Sequence, residues 1–129
     1  MAVVVAFAKP STILVHAGGE VTYEECQRAF DQMLGNPLLA PGTRMLVDAR
    51  TVDAAPTTSE LRAIARDMKP VVDRGLSYMA IVTDRPFVYG VVRMFAVFAE
   101  VFAVQVNAFR TMDEGQRWLD ERRPREAAR

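Results

Sequence analysis

"YMAIVTDRPFVYGVVRMFAVFAEVF", residues 78–102, changes hydrophobic periodicity midway. "YMAIVT" has the length and β-rich content of a strand, whereas Pro86 to Phe102 is apolar at helical spacing, so the stretch reads as one strand feeding one helix. On a helical wheel Tyr89, Arg93 and Glu100 fall on a single polar seam, with Ala96 between the last two. The remaining side chains, from Phe87 through Met94 and Phe95 to Val101 and Phe102, cover an arc well beyond the ~100° that a helix needs to pack on a sheet. Part of that arc requires a second cover. The candidates are a flanking helix of the same chain, a homodimer partner, a target protein or an apolar ligand. Insertion into a bilayer is the wrong reading, because Arg93 near the centre would be costly in hydrocarbon and Glu100 adds a second charge.

Working outward, the same alternation recurs. "VVVAFA" and "TILVHA", separated by "KPS", read as an antiparallel hairpin. Thr22 with Glu25 forms a capping box ahead of a helix carrying Cys26, Phe30, Met33 and Leu34, which "GNP" ends. "RMLVDA" is a strand. Thr57 with Glu60 caps a helix using Leu61, Ile64, Ala65, Met68 and Val72, kinked at Pro70 and stopped at Gly75. "VQVNAF" is the last strand, and a final helix begins near Asp113, with Gln116 as its capping partner and Trp118 and Leu119 buried. The expected fold is α/β: a β-hairpin followed by βα units, giving a five-stranded, mostly parallel sheet covered by helices. Residues 1–122 form one domain, and 123–129 a charged, solvated tail.

Composition excludes several functions. Sixteen basic residues balance sixteen acidic ones, so no long-range field attracts nucleic acid or an anionic membrane. One cysteine cannot form an internal disulfide, which fits a cytoplasmic location, and neither metal spacing nor a glycine-rich phosphate loop points to a cofactor. "MAVVVAFAKP" lacks the basic segment and length of a secretory signal.

Polar residues are expected where strands end, since open α/β sheets bind ligands beyond their carboxyl edges. His16, Asp48, Arg50, Thr83, Asp84 and Arg85 fall there. An enzyme would use His16 as base and an aspartate as its orienter, but no nucleophile accompanies them. Asp48 as a receiver-type phosphoacceptor is rejected, because "HAGGE" supplies no acidic pair and Arg110 stands where a lysine is needed. Both aspartates serve equally well as turn or helix caps. Arg85, Tyr89 and Arg93, one turn apart, form a row suited to the head of an anionic ligand or a partner's carboxylate. Thr57, Thr58 and Ser59 cluster at a helix start, where an added phosphate would be stabilised.

The hairpin opening, "LVDAR" with downstream "PTTSEL", "AIVTDRPFVYGVVRMF" and the closing "EGQRWL" together resemble the small bacterial SpoIIAA-like proteins of the STAS/SEC14-like group, named after an anti-anti-sigma factor. The resemblance spans nearly the whole chain and implies a right-handed βα superhelix. Its anti-sigma antagonist branch implies a partner kinase and a phosphorylated serine at a helix start, usually in an Asp-Ser-Ser-Gly pattern. Here that segment reads "DAAPTTSEL", leaving Thr58 or Ser59 as the nearest equivalents. The SEC14-like side implies an apolar ligand pocket.

The expectation is a non-enzymatic binding or regulatory module that self-associates or binds a protein through the Pro86–Phe102 helix. The candidate binding residues are Asp48, Arg50, Asp84, Arg85, Tyr89 and Arg93, and the candidate phosphosites are Thr58 and Ser59. The alternative is a small carrier holding a lipid-like anion between that helix and the sheet.

Overall fold

The computed structural model describes residues 3–9 and 11–122, so the expected tail at 123–129 lies outside the described residues. Five strands form one sheet in chain order: β1 (Val3–Lys9), β2 (Thr12–Glu20), β3 (Thr43–Ala54), β4 (Leu76–Val82) and β5 (Gln105–Phe109). β1 and β2 pair antiparallel as the hairpin, and every later neighbour is parallel. The mixed, mostly parallel five-stranded sheet is therefore as expected.

Because each crossover steps in the same direction, right-handed connections stack their helices on one face. That face carries α1 (Tyr23–Leu34), α2 (Thr58–Asp67), α3 (Lys69–Asp73) and α4 (Pro86–Glu100), packed over a core that includes Ile13, Met45, Val47, Ile81, Phe95 and Ala99. The opposite face is left to α5 (Met112–Glu121), which lies over β3, β4 and β5. α5 sits close to the sheet. A Cβ built at Gly115 would stand 3.0 Å from Val82 Cγ2 and 3.2 Å from Leu46 Cδ1. Trp118 fills the space beside it, edge-on to Tyr78 at 6.0 Å and tilted against Phe109 at 5.5 Å. Buried Arg44 donates to the Leu119 carbonyl (3.1 Å) and to Thr12 Oγ1 (3.3 Å), which places a cation at the negative end of α5.

Three local expectations are corrected. The segment around Pro70 is two helices and not one kinked helix: α2 ends at Asp67 and α3 begins at Lys69, with Met68 as the cap between them, because Pro70 has no N–H to continue the ladder. Leu61, Ile64, Ala65 and Met68 are buried as expected, but past the break Val71 takes the fully buried position and the expected Val72 is only partly buried. The cap of α5 is Thr111, whose hydroxyl accepts from Glu114 N, not the Asp113–Gln116 pair. β2 and β3 run past the ends read from sequence, so His16, Asp48 and Arg50 lie within strands and not beyond them. At Gly75 the expected stop holds: its φ of 134° is open only to glycine, and its carbonyl accepts from Thr43 N to start β3.

Candidate functional site

Of the polar residues assigned to strand ends, His16, Asp48 and Arg50 meet at a bulge in the β2–β3 pair. Between His16 and Gly18 of β2, β3 advances one residue further, from Asp48 to Thr51. Asp48 stabilises the irregular turn, its carboxylate accepting from the Arg50 backbone N–H (3.1 Å) and, bidentately, from the Arg50 guanidinium (both 2.9 Å). That pairing outweighs the partial burial of the group and lowers the Asp48 pKa to about 2. Asp84 adds to the field on Arg50. His16, more than half exposed, stands 3.6 Å from Asp48, too far for a hydrogen bond. An aspartate already clamped by arginine is a poor orienter for a histidine base, so the arrangement is that of a turn lock. His16 and Asp48 also rim a groove of about 250 Å³ with Val4, Ala6, Leu14 and Leu46, where α5 leaves β1 and β2 uncovered.

The Arg85–Tyr89–Arg93 row divides. Tyr89 turns toward β5, its hydroxyl 3.5 Å from the Ala108 carbonyl and its ring under the Arg110 guanidinium at 4.2 Å. Arg110, just past β5, is thus the cation that Tyr89 meets. Arg85 and Arg93 are exposed, and among the described residues neither has an ion pair. Asp84 does not cap α4; Thr83 does the local bonding, its hydroxyl accepting from Arg85 N at 3.3 Å.

α4 itself buries Val88, Val92, Phe95 and Ala99 against the sheet. Its outward side keeps large apolar groups in water: Phe87 is 65% exposed, Val97 63% and Val101 80%. Half-buried Met94 and side-chain-less Gly90 join them into one stripe. A flanking helix of the same chain is one candidate cover, but the final helix, α5, packs on the other face of the sheet. α2 shields one margin, with Arg62 over the Phe98 ring at 4.6 Å. Beside the C-terminal half of α4 a groove of about 690 Å³ follows edge strand β5, walled by Tyr78, Val97, Glu100, Val104 and Val106.

Thr58 and Ser59 are exposed in the first turn of α2. Thr57 forms the expected reciprocal box with Glu60, while the Thr58 hydroxyl donates to Met94 Sδ at 3.9 Å, next to the stripe. Cys26 packs beside the core and burial pushes its thiol up to about 11, which makes it a poor nucleophile. Among the described residues no group of acidic, histidine or cysteine side chains could hold a metal, and no helix is long and apolar enough to cross a membrane.

No protein-family model matches the chain, and no curated protein matches it in sequence. In structure the chain is similar to an uncharacterized protein of the DUF3478 family with a SpoIIAA-like fold, from Shewanella loihica PV-4, which superposes over 92% of this chain and 92% of its own with a TM-score of 0.59 at 15% identity. The chain therefore has a SpoIIAA-like fold.

Proposed function

We propose that this SpoIIAA-like domain is a non-enzymatic, cytoplasmic protein-binding module whose contact surface is the outward side of α4. The observation that carries this reading is the concentration of Phe87, Val97 and Val101, each more than 60% exposed, on one side of one helix. Single exposed apolar residues are ordinary, but a continuous stripe of large ones carries an unmet burial free energy that a partner can supply. A regulatory element fits the same surface. A phosphate on Thr58 or Ser59 would be favoured by the start of α2 and would set a double negative charge beside Met94 and the stripe.

The carrier alternative is supported by the groove along β5. Its valines suit a hydrocarbon chain, yet Ser77, Gln105 and Asn107 also line it, and its charged lining residue is Glu100, the wrong sign for an anionic head.

A photo-reactive residue at Val97, with one at exposed Arg74 as control, tests the reading in cells of the source organism. The reading expects protein cross-links from Val97 and not from position 74. Cross-links absent from Val97, with a lipid-like mass retained in native mass spectrometry, overturn it in favour of the carrier.

A further inference from the structure

We infer that the occupant of the α4 stripe is a second copy of this chain, its α4 running antiparallel to the first; the inference rests on the binding reading above and names its partner. The stripe residues are Phe87, Gly90, Met94, Val97 and Val101, spaced three, four, three and four. That is the a/d spacing of a two-helix seam, which packs helices at a shallow angle and needs only another such seam opposite it.

The charges select the partner and its direction. With Phe87, Met94 and Val101 at a, the g positions are Arg93 and Glu100, opposite in sign, exposed, and without an ion pair among the described residues. The e positions are Val91 and Phe98. Parallel helices set g beside e, which would leave both charges against apolar side chains. Antiparallel helices set g beside g. A two-fold axis midway between Met94 and Val97 layers Met94 on the partner's Val97 and Gly90 on the partner's Val101. At 1.5 Å per residue, Arg93 then lies within about 3 Å, along the helix, of the partner's Glu100. Symmetry makes this pair twice. Gly90 supplies a notch for the facing valine, since a Cβ built there meets nothing within 4 Å. The seam is about 21 Å long. One helix of that length buries less than a stable interface of standard size, so the dimer is weak and depends on concentration.

Sedimentation from about 10 µM to 1 mM tests this. Wild-type protein dimerises with rising concentration. Arg93→Glu and Glu100→Arg each weaken it about tenfold, through like charges at both g contacts. Mixing the two variants restores association, as does the double reversal in one chain. In a Cys26→Ser background, Phe87→Cys fails to link to itself on oxidation, because antiparallel packing holds the two positions about 25 Å apart along the helix. Efficient Phe87→Cys self-linking, or dimers indifferent to either charge reversal, overturns the antiparallel assignment. A monomer at every concentration whose Val97 still cross-links another protein overturns the second copy but leaves the binding reading standing. A monomer that instead floats with neutral phosphatidylcholine vesicles overturns both.

Discussion

Phe95 and Val97 are two residues apart on α4, and the fold assigns them opposite duties: Phe95 is 6% exposed within the main core and Val97 is 63% exposed on the stripe. Phe95→Ala removes a buried ring and leaves a cavity, a change that costs about 3–5 kcal/mol. Val97→Ser removes a side chain only about a third buried, so roughly a third of the ~1.5 kcal/mol for full burial is lost, near 0.5 kcal/mol. Serine and valine have similar helix propensity, which keeps the backbone contribution small. Urea unfolding at low micromolar concentration, where self-association is negligible, reads both. With a slope near 2 kcal/mol per molar, Phe95→Ala lowers the midpoint by roughly 2 M and Val97→Ser by about 0.3 M or less. Comparable losses from the two, or a larger loss from Val97→Ser, would mean that α4 is rotated about its axis and that the stripe faces the core.

Gly75→Ala forces a side chain into φ 134° and its Cβ onto the Ala40 carbonyl, so a loss of at least about 3 kcal/mol is expected in thermal unfolding. For Asp48 the folded pKa, about 2, lies below the ordinary 3.8, so its contribution to stability is full above that ordinary value and is lost as pH falls toward 2. Arg50→Ala therefore flattens the acid limb between about pH 4 and 2 in a series of urea midpoints, whereas parallel curves for the two proteins would show that Arg50 does not hold Asp48. Cys26, with its pKa near 11 against an ordinary 9.0, exposes about a hundredfold less thiolate at pH 8. Its reaction with a disulfide reagent is at least tenfold slower in the native protein than in urea, and equal rates would place the thiol at the surface.

What could be read from residues alone was largely local. The N-caps at Thr22 and Thr57 are legible because the capping side chain and the amide it serves, of Glu25 and of Glu60, lie three residues apart. Thr111–Glu114 offers the same signal, with Glu114 one turn before Trp118, and carries the cap that Asp113 does not. The true length of β3 was hidden, because "ARTVDA" breaks the apolar run at a bulge held by Asp48 and Arg50, and only the paired strand shows that the ladder continues. Strand register likewise decides that Val4 and Leu14 lie on the face α5 fails to cover. The apolar surplus of α4 was visible as composition. Which residues carry it was not, since the orientation of the helix is set by contacts with β5, which follows it, and with α2 and β3, distant in sequence.

Methyl resonances of the α4 valines, followed on dilution from 1 mM or on addition of a cross-linked partner, address the binding surface directly. The account predicts that Val97 and Val101 shift and broaden while buried Val88 and Val92 hold still. Valine methyls unchanged throughout α4, or shifts centred on Val4 and Leu14 across the sheet, would contradict it.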